Sequence, residues 1–310
     1  DFDLDVPAGD YRIEFFTNPG GASPSGNGEG QNFVDSVNLS HSGGGAQGFS
    51  HSFAGSPADI LTATATECSD VTCTDFDSTS EFSAAVLVTD NGLIAHWPLD
   101  ESRGTNADEL VQDNDGTYTN GVTLDQPGAC ATTDTAVRFN GTNQTVSIPH
   151  DPAYLIDEGT VSLWINPESL VGEQGLFSKD EMWGTNGGHL TIWLDGAVVY
   201  ARLQDPGNST TYIASGGSLS VGSWYHIALT FGSGGMKLYV NGSEVGNHPW
   251  NCGLGTCSGG TGNDLDIVLG AHNKNASTSD YYQGYMDDVR IYDRALVQTE
   301  IDALFACATY

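Results

Sequence analysis

The sequence contains few positive charges. Lysine and arginine together number 9, against 40 aspartate and glutamate residues, so the formal net charge at pH 7 is −31. Binding to nucleic acid or to an anionic membrane surface depends on clustered cations, and we therefore exclude both as partners. The chain also lacks an apolar run long enough to span a bilayer, and we expect no membrane insertion.

Helical patterns are almost missing as well. Long runs of alanine, leucine, glutamate and lysine at helical spacing are nearly absent, whereas glycine is abundant, at 40 of 310 residues. This composition is typical of short strands joined by many turns. A chain of this length can form two domains, each with its own hydrophobic core. We therefore predict an all-β protein of two domains.

The six cysteines form an even set with two close pairs. Such a set indicates disulfides and an oxidising compartment, so we expect a secreted protein, extracellular or at the cell surface. A zinc site would need paired cysteines with histidine partners at set spacing, and neither close pair has this form. The expected pairs are Cys68 with Cys73, Cys252 with Cys257, and Cys130 with Cys307.

Residues 1–90 alternate in the manner of strands near 11–16, 33–37, 60–66 and 82–88, with glycine-rich turns between them. This pattern predicts a small antiparallel sandwich. The sequences YRIEFF at 11–16, GEGQ at 28–31, TATAT at 62–66 and SEFS at 80–83 resemble an immunoglobulin-like module of large bacterial surface proteins. The resemblance implies an architectural spacer without a catalytic motif.

Residues 93–310 form the second predicted domain. Alternation at 161–165 and 227–231, and an Asn241-Gly242 hairpin after Val240, predict an antiparallel sandwich. The one helical pattern, at 295–305, places Glu300 outward and is expected to close one end of the sandwich. Seven sequences in order carry a resemblance: AHWPLD at 95–100, ADELVQDNDGT at 107–117, AVRFNG at 136–141, VSLWINP at 161–167, WYHIA at 224–228, LYVNG at 238–242 and GYMDDVRIYDRAL at 284–296.

These sequences resemble the laminin-G-like, concanavalin A-like jelly-roll family. The resemblance implies a structural Ca²⁺ where the opening loop meets the last long strand. Matched by position, its ligands are Asp108, Asn114 and Asp287, with Asp100 among the nearby substitutes. Calcium takes six to eight oxygen ligands, and side chains of this type provide them. The alternative is that these residues are solvated turn residues.

Candidate ligand contacts are aromatic and histidine side chains in long loops, because sugar rings stack on aromatic faces while their hydroxyls bond polar groups. The tryptophans within strands, at 97, 164, 193 and 224, are instead expected in the core. For the loop residues, ligand contact, subunit contact and plain loop packing remain open. The candidates are Trp183, His189, Trp250, Tyr281 and Tyr282.

No predicted strand carries the paired carboxylates of a glycosidase, and no nucleophile elbow, metalloprotease motif or phosphate loop is present. We therefore expect a non-catalytic, calcium-binding recognition or adhesion protein that binds glycan or another surface polymer. The first alternative is a structural subunit of an extracellular filament, sheath or surface layer. In that case residues 1–6, which alternate like an edge strand, would complement the sheet of another copy. A polysaccharide-degrading enzyme is the second alternative.

Overall fold

The fold is described from a computed structural model. The structure describes residues 2–4, 6–17, 32–45, 47–49, 60–69, 73, 76–79, 86–87, 92–130, 134–180, 188–204, 211–258, 262–274 and 277–307. The chain forms two compact units, one from Asp1 to Asn91 and one from Gly92 to Cys307. In the described ranges, no helix combines the length and the apolar composition that crossing a membrane requires.

The first unit is an antiparallel sheet with a second, two-stranded ribbon. Its strands are β1 (Phe2–Leu4), β2 (Gly9–Thr17), β3 (Asn32–His41), β4 (Gln47–Phe49), β5 (Ile60–Cys68), β6 (Phe76–Thr79) and β7 (Val86–Leu87). The sheet order is β3-β2-β5-β6, with β7 also on β5, and β1 pairs with β4. Alternate residues of β2 form its core, Tyr11, Ile13 and Phe15. The immunoglobulin-like identity of this unit stays a prediction.

The start of the chain is paired within its own unit. Phe2 lies opposite Phe49, and Leu4 lies opposite Gln47. The segment that we expected as an edge strand for a neighbouring copy therefore already has an intramolecular partner along one side. Within the described residues, nothing supports strand exchange between copies.

The second unit is a sandwich of two eight-stranded antiparallel sheets. Its strands are β8 (Leu93–Trp97), β9 (Asn106–Ala107), β10 (Gly116–Thr119), β11 (Thr123–Pro127), β12 (Thr135–Asn140), β13 (Thr145–Ile148), β14 (Gly159–Pro167), β15 (Glu173–Lys179), β16 (His189–Asp195), β17 (Val198–Gln204), β18 (Thr211–Gly216), β19 (Tyr225–Phe231), β20 (Met236–Val240), β21 (Ser243–His248), β22 (Ile267–Leu269) and β25 (Gln283–Tyr292); β23 (His272–Lys274) and β24 (Ser277–Ser279) form a separate hairpin. Sheet I has the order β18-β17-β16-β15-β22-β13-β10-β9, and sheet II has the order β11-β12-β25-β14-β19-β20-β21, with β8 also on β25.

Period-two alternation places one large core between the two sheets. On β14, Val161, Leu163 and Ile165 belong to that core, and Trp97 also lies within it. The predicted hairpin after β20 is confirmed, because Val240 lies opposite Ser243. Its two turn residues have φ of 50° and 77°, the left-handed values that a type I′ turn requires.

The last strand, β25, changes partner halfway along one edge. Its first half pairs with β12, where Met286 lies opposite Val137. Its second half pairs with β8, where Val289 lies opposite Trp97. The expected meeting of the last long strand with the opening segment of this domain is therefore confirmed. Asp287 and Asp288 occupy the point of change, and Asp288 has φ of 51°.

The helix differs in position from our expectation. Helix α1 (Gln298–Phe305) begins three residues later than the pattern predicted. It contacts sheet II, where Phe305 stacks on Trp164 and Gln298 donates to the carbonyl of Gly242 in the turn after β20. Trp164 faces outward because its neighbours on β14 face the core. Upstream of the helix, the Leu296 N–H donates to Thr160 Oγ1 at 2.9 Å.

The three disulfides join the pairs that the spacing indicated. Cys68 bonds Cys73, and Cys252 bonds Cys257, each across five residues. The third bridge, between positions 130 and 307, joins residues 177 apart. This bridge ties the segment after α1 to the loop that precedes β12.

Candidate functional site

Three carboxylates meet where β25 exchanges β12 for β8. Asp287 lies on β25, Asp100 follows β8, and Asp134 directly precedes β12; one oxygen of each lies within 4.8 Å of the others. We call these three residues the acidic cluster. The segment after β8, the start of β12 and the middle of β25 meet here, so residues far apart in the sequence become neighbours.

Backbone N–H groups hold each carboxylate of the acidic cluster in place. Ala129 N donates to Asp287 Oδ2 at 2.8 Å, and Cys130 N donates to Asp134 Oδ2 at 2.8 Å. Thr135 N donates to Asp100 Oδ1 at 2.9 Å. The side chains of Asp287 and Asp134 are also within hydrogen-bond reach of each other.

Asp287 and Asp288 have opposite electrostatic surroundings. Burial, with the nearby Asp134 charge, raises the pKa of Asp287 to about 9 although Ala129 donates to it. Burial also acts to raise the pKa of Asp288, but Arg290 and His96 lower it to about 2. Asp287 is 1% exposed, and at neutral pH its charged form needs a cation that the acidic cluster itself does not contain.

The acidic cluster fits a hard divalent cation. Ca²⁺ and Mg²⁺ prefer carboxylate and carbonyl oxygens, and three carboxylates within one ion's reach supply the charge that such sites use. The raised pKa of Asp287 adds a physical reason, because a bound cation would restore the ionised form. Asp287 and the substitute Asp100 were identified from the sequence, and Asp134 was missed.

The two other predicted calcium ligands lie in the loop between β9 and β10. Asp108 is exposed and is absent from the acid groupings that the described residues form around Asp287. The amide of Asn114 donates to Tyr154 Oη at 2.8 Å and to the Pro149 carbonyl at 3.0 Å. Their assignment as calcium ligands stays a prediction, whereas Asp100 and Asp134 are the carboxylates that lie beside Asp287.

A buried glutamate organises the loop that carries those two residues. Glu109 is 5% exposed. Its carboxylate accepts the N–H of His96 at 2.8 Å and that of Val111 at 2.9 Å. The loop thus folds around its own acid, and local hydrogen bonds fix its shape.

Among the predicted ligand contacts, Trp183 lies outside the described residues. His189 is buried, 3% exposed, and its Nδ1 lies 3.4 Å from Asp180 Oδ1. Arg202 bonds the other oxygen of Asp180 and reaches Thr191 Oγ1 at 3.2 Å. His189 is thus part of a polar group beneath the surface rather than an exposed loop contact.

The remaining three aromatic candidates each contact other side chains of the second unit. Trp250 stacks on Tyr212, with ring centroids 3.8 Å apart and planes at 5°, and packs against the core. Tyr282 is fully buried and lies 6.2 Å from Phe139, centroid to centroid. Tyr282 is therefore removed from the candidate surface contacts. Tyr281 is half-buried, and its hydroxyl lies 2.6 Å from Thr278 Oγ1.

A different aromatic pair lies on the outer side of sheet I. Leu190, Ile192 and Leu194 of β16 belong to the core, so the residue between the last two, Trp193, points away from the core. It lies opposite Tyr200 of β17, and the two rings stack with centroids 5.2 Å apart and planes at 18°.

We call the outer surface around Trp193 and Tyr200 the aromatic face. Both residues are half-buried, so our expectation that Trp193 lies in the core is wrong. The alternation of β16 could have predicted the outward position of Trp193, because its two neighbours on the strand are isoleucine and leucine. The ring of His272 meets Trp193 edge-on, with centroids 5.9 Å apart.

A sequence model described as the concanavalin A-like lectin/glucanases superfamily (Laminin_G_3) matches residues 140–302. A search of curated proteins finds no match. Domain 4 of AbnA, a GH43 extracellular arabinanase from Geobacillus stearothermophilus solved in complex with arabinotriose, is similar with TM-score 0.51 and 22% identity, covering 68% of this chain and 97% of that domain.

Two further solved structures share the fold. The binding domain of Paraclostridial Mosquitocidal Protein 1 has TM-score 0.51 and 18% identity, covering 69% of this chain and 52% of that one. A Trypanosoma rangeli sialidase mutant displaying trans-sialidase activity has TM-score 0.51 and 15% identity, covering 80% and 42%. This chain thus spans about half the length of those two, and identities this low show a common fold alone.

Proposed function

Since this chain belongs to the concanavalin A-like lectin/glucanases superfamily, we propose that it is a non-catalytic, calcium-binding recognition protein of the extracellular space that binds glycan on the aromatic face. The observation that carries the proposal is the stacked Trp193–Tyr200 pair, half-buried on the outer side of sheet I. Sugar rings bind by placing their apolar faces on such rings.

Polar groups beside the aromatic pair suit a hydroxylated ligand. His272 adjoins Trp193, and its Nδ1 lies 3.5 Å from Asp280 Oδ2. An arrangement of aromatic surface with a few convergent polar groups is typical of ligand sites. The arabinanase domain that shares this fold was solved with arabinotriose, which supports a saccharide as the ligand class here.

Exposure of the neighbouring acids favours binding over hydrolysis. Glu173 and Asp280 place one oxygen each, with a His272 nitrogen, within 4.8 Å of one another, which is near the roughly 5 Å separation of retaining glycosidases. A general acid at neutral pH, however, needs a carboxyl group that burial keeps protonated. Glu173 is exposed, and the Asp280 side chain is 37% exposed.

The test is glycan binding by matched tryptophan variants. Trp193→Ala should weaken binding to an arrayed glycan by tenfold or more, on the order of 1–3 kcal/mol for one stacked ring, and Tyr200→Ala should weaken it less. The control is Trp224→Ala, because Trp224 is also half-buried but pairs with Tyr285 of sheet II at 6.3 Å.

Loss of binding in Trp224→Ala with retention in Trp193→Ala would move the site to sheet II and overturn the proposal. Absence of binding to all glycans by the folded parent protein would remove it altogether. A reducing-sugar assay on any glycan that binds distinguishes a binding protein from a polysaccharide-degrading enzyme. Release of product would contradict the non-catalytic assignment.

We propose a structural Ca²⁺ at the acidic cluster as part of the same function. Asp287, Asp134 and Asp100 would hold the ion, and the ion would supply positive charge to a buried carboxylate. Because the cluster joins β25 to the segments beside β8 and β12, the bound ion would stabilise the fold by mass action. The three disulfides support an extracellular location.

A filament or surface-layer subunit remains the alternative function. Its motive was the first strand, which pairs with β4 of its own chain. Light scattering in calcium tests this alternative. A strict monomer at all concentrations would remove it, and ordered polymers would favour it.

A further inference from the structure

The Trp193 end of the aromatic face collects negative charge. Asp195 follows Trp193 by two residues on the same strand, so both side chains lie on the outer side of sheet I. Glu173 lies directly opposite Asp195 in the β15–β16 register, and cross-strand partners share a face. Asp280 adds a third carboxylate through its contact with His272.

Among the described residues, the positive charge on this face is that of Arg202, which lies at the end of the face away from Trp193 and bonds another side chain. Arg202 lies opposite Thr191 on the β16–β17 pair. Its guanidinium bonds Asp180 and contacts the Thr191 hydroxyl. The charge of Arg202 is therefore neutralised by a buried partner, Asp180, which is 2% exposed, and does not offset the carboxylates near Trp193.

The hairpin β23–β24 keeps His272 and Asp280 beside Trp193. A Cβ atom on Gly175 would come within 2.3 Å of the His272 backbone nitrogen, so the hairpin's first residues lie directly on β15. Gly175 N also donates to the Asp280 carbonyl at 2.8 Å. The carboxylate of Asp280 is thus held by the backbone next to the ring that would stack on a sugar.

We infer that this face selects glycans by charge, binding a glycan that carries free amino groups more tightly than its N-acetylated counterpart and rejecting uronate or sulfated polymers. The inference rests on the proposed function and names the ligand class of the same site. An ammonium group gains charge-assisted hydrogen bonds from Glu173 and Asp280 and an attraction to the Trp193 ring. An anionic sugar meets like charges at the same place, in a chain whose net charge is −31.

The experiment compares three oligosaccharides of equal length by calorimetry at about pH 6, below the ordinary pKa of an amine. They are a glucosamine oligomer, its N-acetylated form and a galacturonate oligomer. The parent protein should bind the amine form about tenfold more tightly than the N-acetylated form, because exposed ion pairs each add a few-fold. Added salt should reduce this ratio. Binding of the galacturonate oligomer should not be measurable.

Neutral variants then locate the effect. The double variant Glu173→Gln, Asp280→Asn should bring the ratio close to one while leaving affinity for the N-acetylated oligomer within about twofold, since exposed ion pairs contribute little else. The matched control is Asp266→Asn, an exposed acid that accepts from Ser147 Oγ on a distant strand, and it should keep the full ratio.

The outcomes separate the two proposals. A ratio of one or below in the parent protein, tighter binding of the galacturonate oligomer, or an unchanged ratio in the double variant would overturn charge selection. If those results come with binding that Trp193→Ala weakens by tenfold or more, the glycan-binding function stands and this inference alone fails. If none of the three oligomers nor any arrayed glycan binds, the proposed function itself fails.

Discussion

The replacement Asp287→Asn isolates the charge of the acidic cluster. An asparagine Oδ1 can still accept the Ala129 N–H that now reaches Asp287 Oδ2 at 2.8 Å, and its amide can donate to Asp134. The substitution therefore keeps the shape and the hydrogen bonds of the site and removes the ionisable group. In the absence of divalent cations, we expect the variant to be more stable than the parent protein at neutral pH.

The magnitude follows from linkage. Burial raises the pKa of Asp287 from 3.8 to about 9. The stability contributed by the protonated Asp287 is therefore fully present below pH 3.8, the ordinary pKa, and is lost as the pH rises to about 9, the pKa in the folded protein. Over that window the parent protein should lose about 1.4 kcal/mol per pH unit relative to the variant. The accumulated difference in the free energy of unfolding between variant and parent is at most about 1.6 kcal/mol at pH 5 and about 4 kcal/mol at pH 7.

Urea unfolding in a chelator, at several pH values between about 5 and 8, measures this difference. All six tryptophans follow residue 92, so their fluorescence reports on the second unit alone. Calcium at about 100 times its dissociation constant should add about 2.7 kcal/mol to the parent protein and little to Asp287→Asn. The matched control is Asp108→Asn, an exposed acid, which should change neither quantity. Parallel pH curves, or equal stabilisation of the variant by calcium, would refute the reasoning.

Three further predictions concern the scaffold of the second unit. The double variant Cys130→Ser, Cys307→Ser opens a 177-residue loop and should lose up to about 5 kcal/mol in urea unfolding; a loss below about 1 kcal/mol would contradict the bridge's role. Gly175→Ala would place Cβ 2.2 Å from a neighbouring backbone carbon and should cost about 3 kcal/mol or more, whereas Gly234→Ala, with open space around it, should leave the melting temperature nearly unchanged. Burial lowers the pKa of Lys179 from 10.5 to about 8. As the pH rises from about 8 to 10.5, the free energy of unfolding of the parent protein should therefore increase by up to about 3 kcal/mol relative to Lys179→Met. An equal pH dependence in the two proteins would refute this.

Alternation predicted the layers of the second unit because each strand contributes to one shared core. The pattern on β14 predicts an inner face formed by Val161, Leu163 and Ile165, and all three lie in the core. The hairpin after Val240 needed only local information, since an Asn-Gly pair adopts positive φ at low cost. Features of this kind depend on residues close together in the sequence, and the sequence alone was sufficient to predict them.

The acidic cluster depends on contacts between distant segments, and the sequence identified it only in part. Asp134 lies in a polar segment without periodicity, and its place beside Asp287 follows from the pairing of β12 with β25. Asp108 matched the family position, but Glu109 accepts the N–H groups of Val111 and Gln112 in its own loop. A local hydrogen-bond network thus determined this loop, and no spacing rule contained it.

The two proposed sites lie on opposite sheets, which constrains how calcium can affect binding. The outer side of sheet II is covered near the acidic cluster, because Phe305 stacks on Trp164, and Trp164 lies opposite Asp287 in the β14–β25 register. Trp193 faces outward from sheet I, across the whole core. A cation at Asp287 therefore cannot touch a ligand at Trp193, and its effect has to pass through the stability of the fold. Wherever the second unit remains folded without calcium, glycan affinity should be the same with and without the ion.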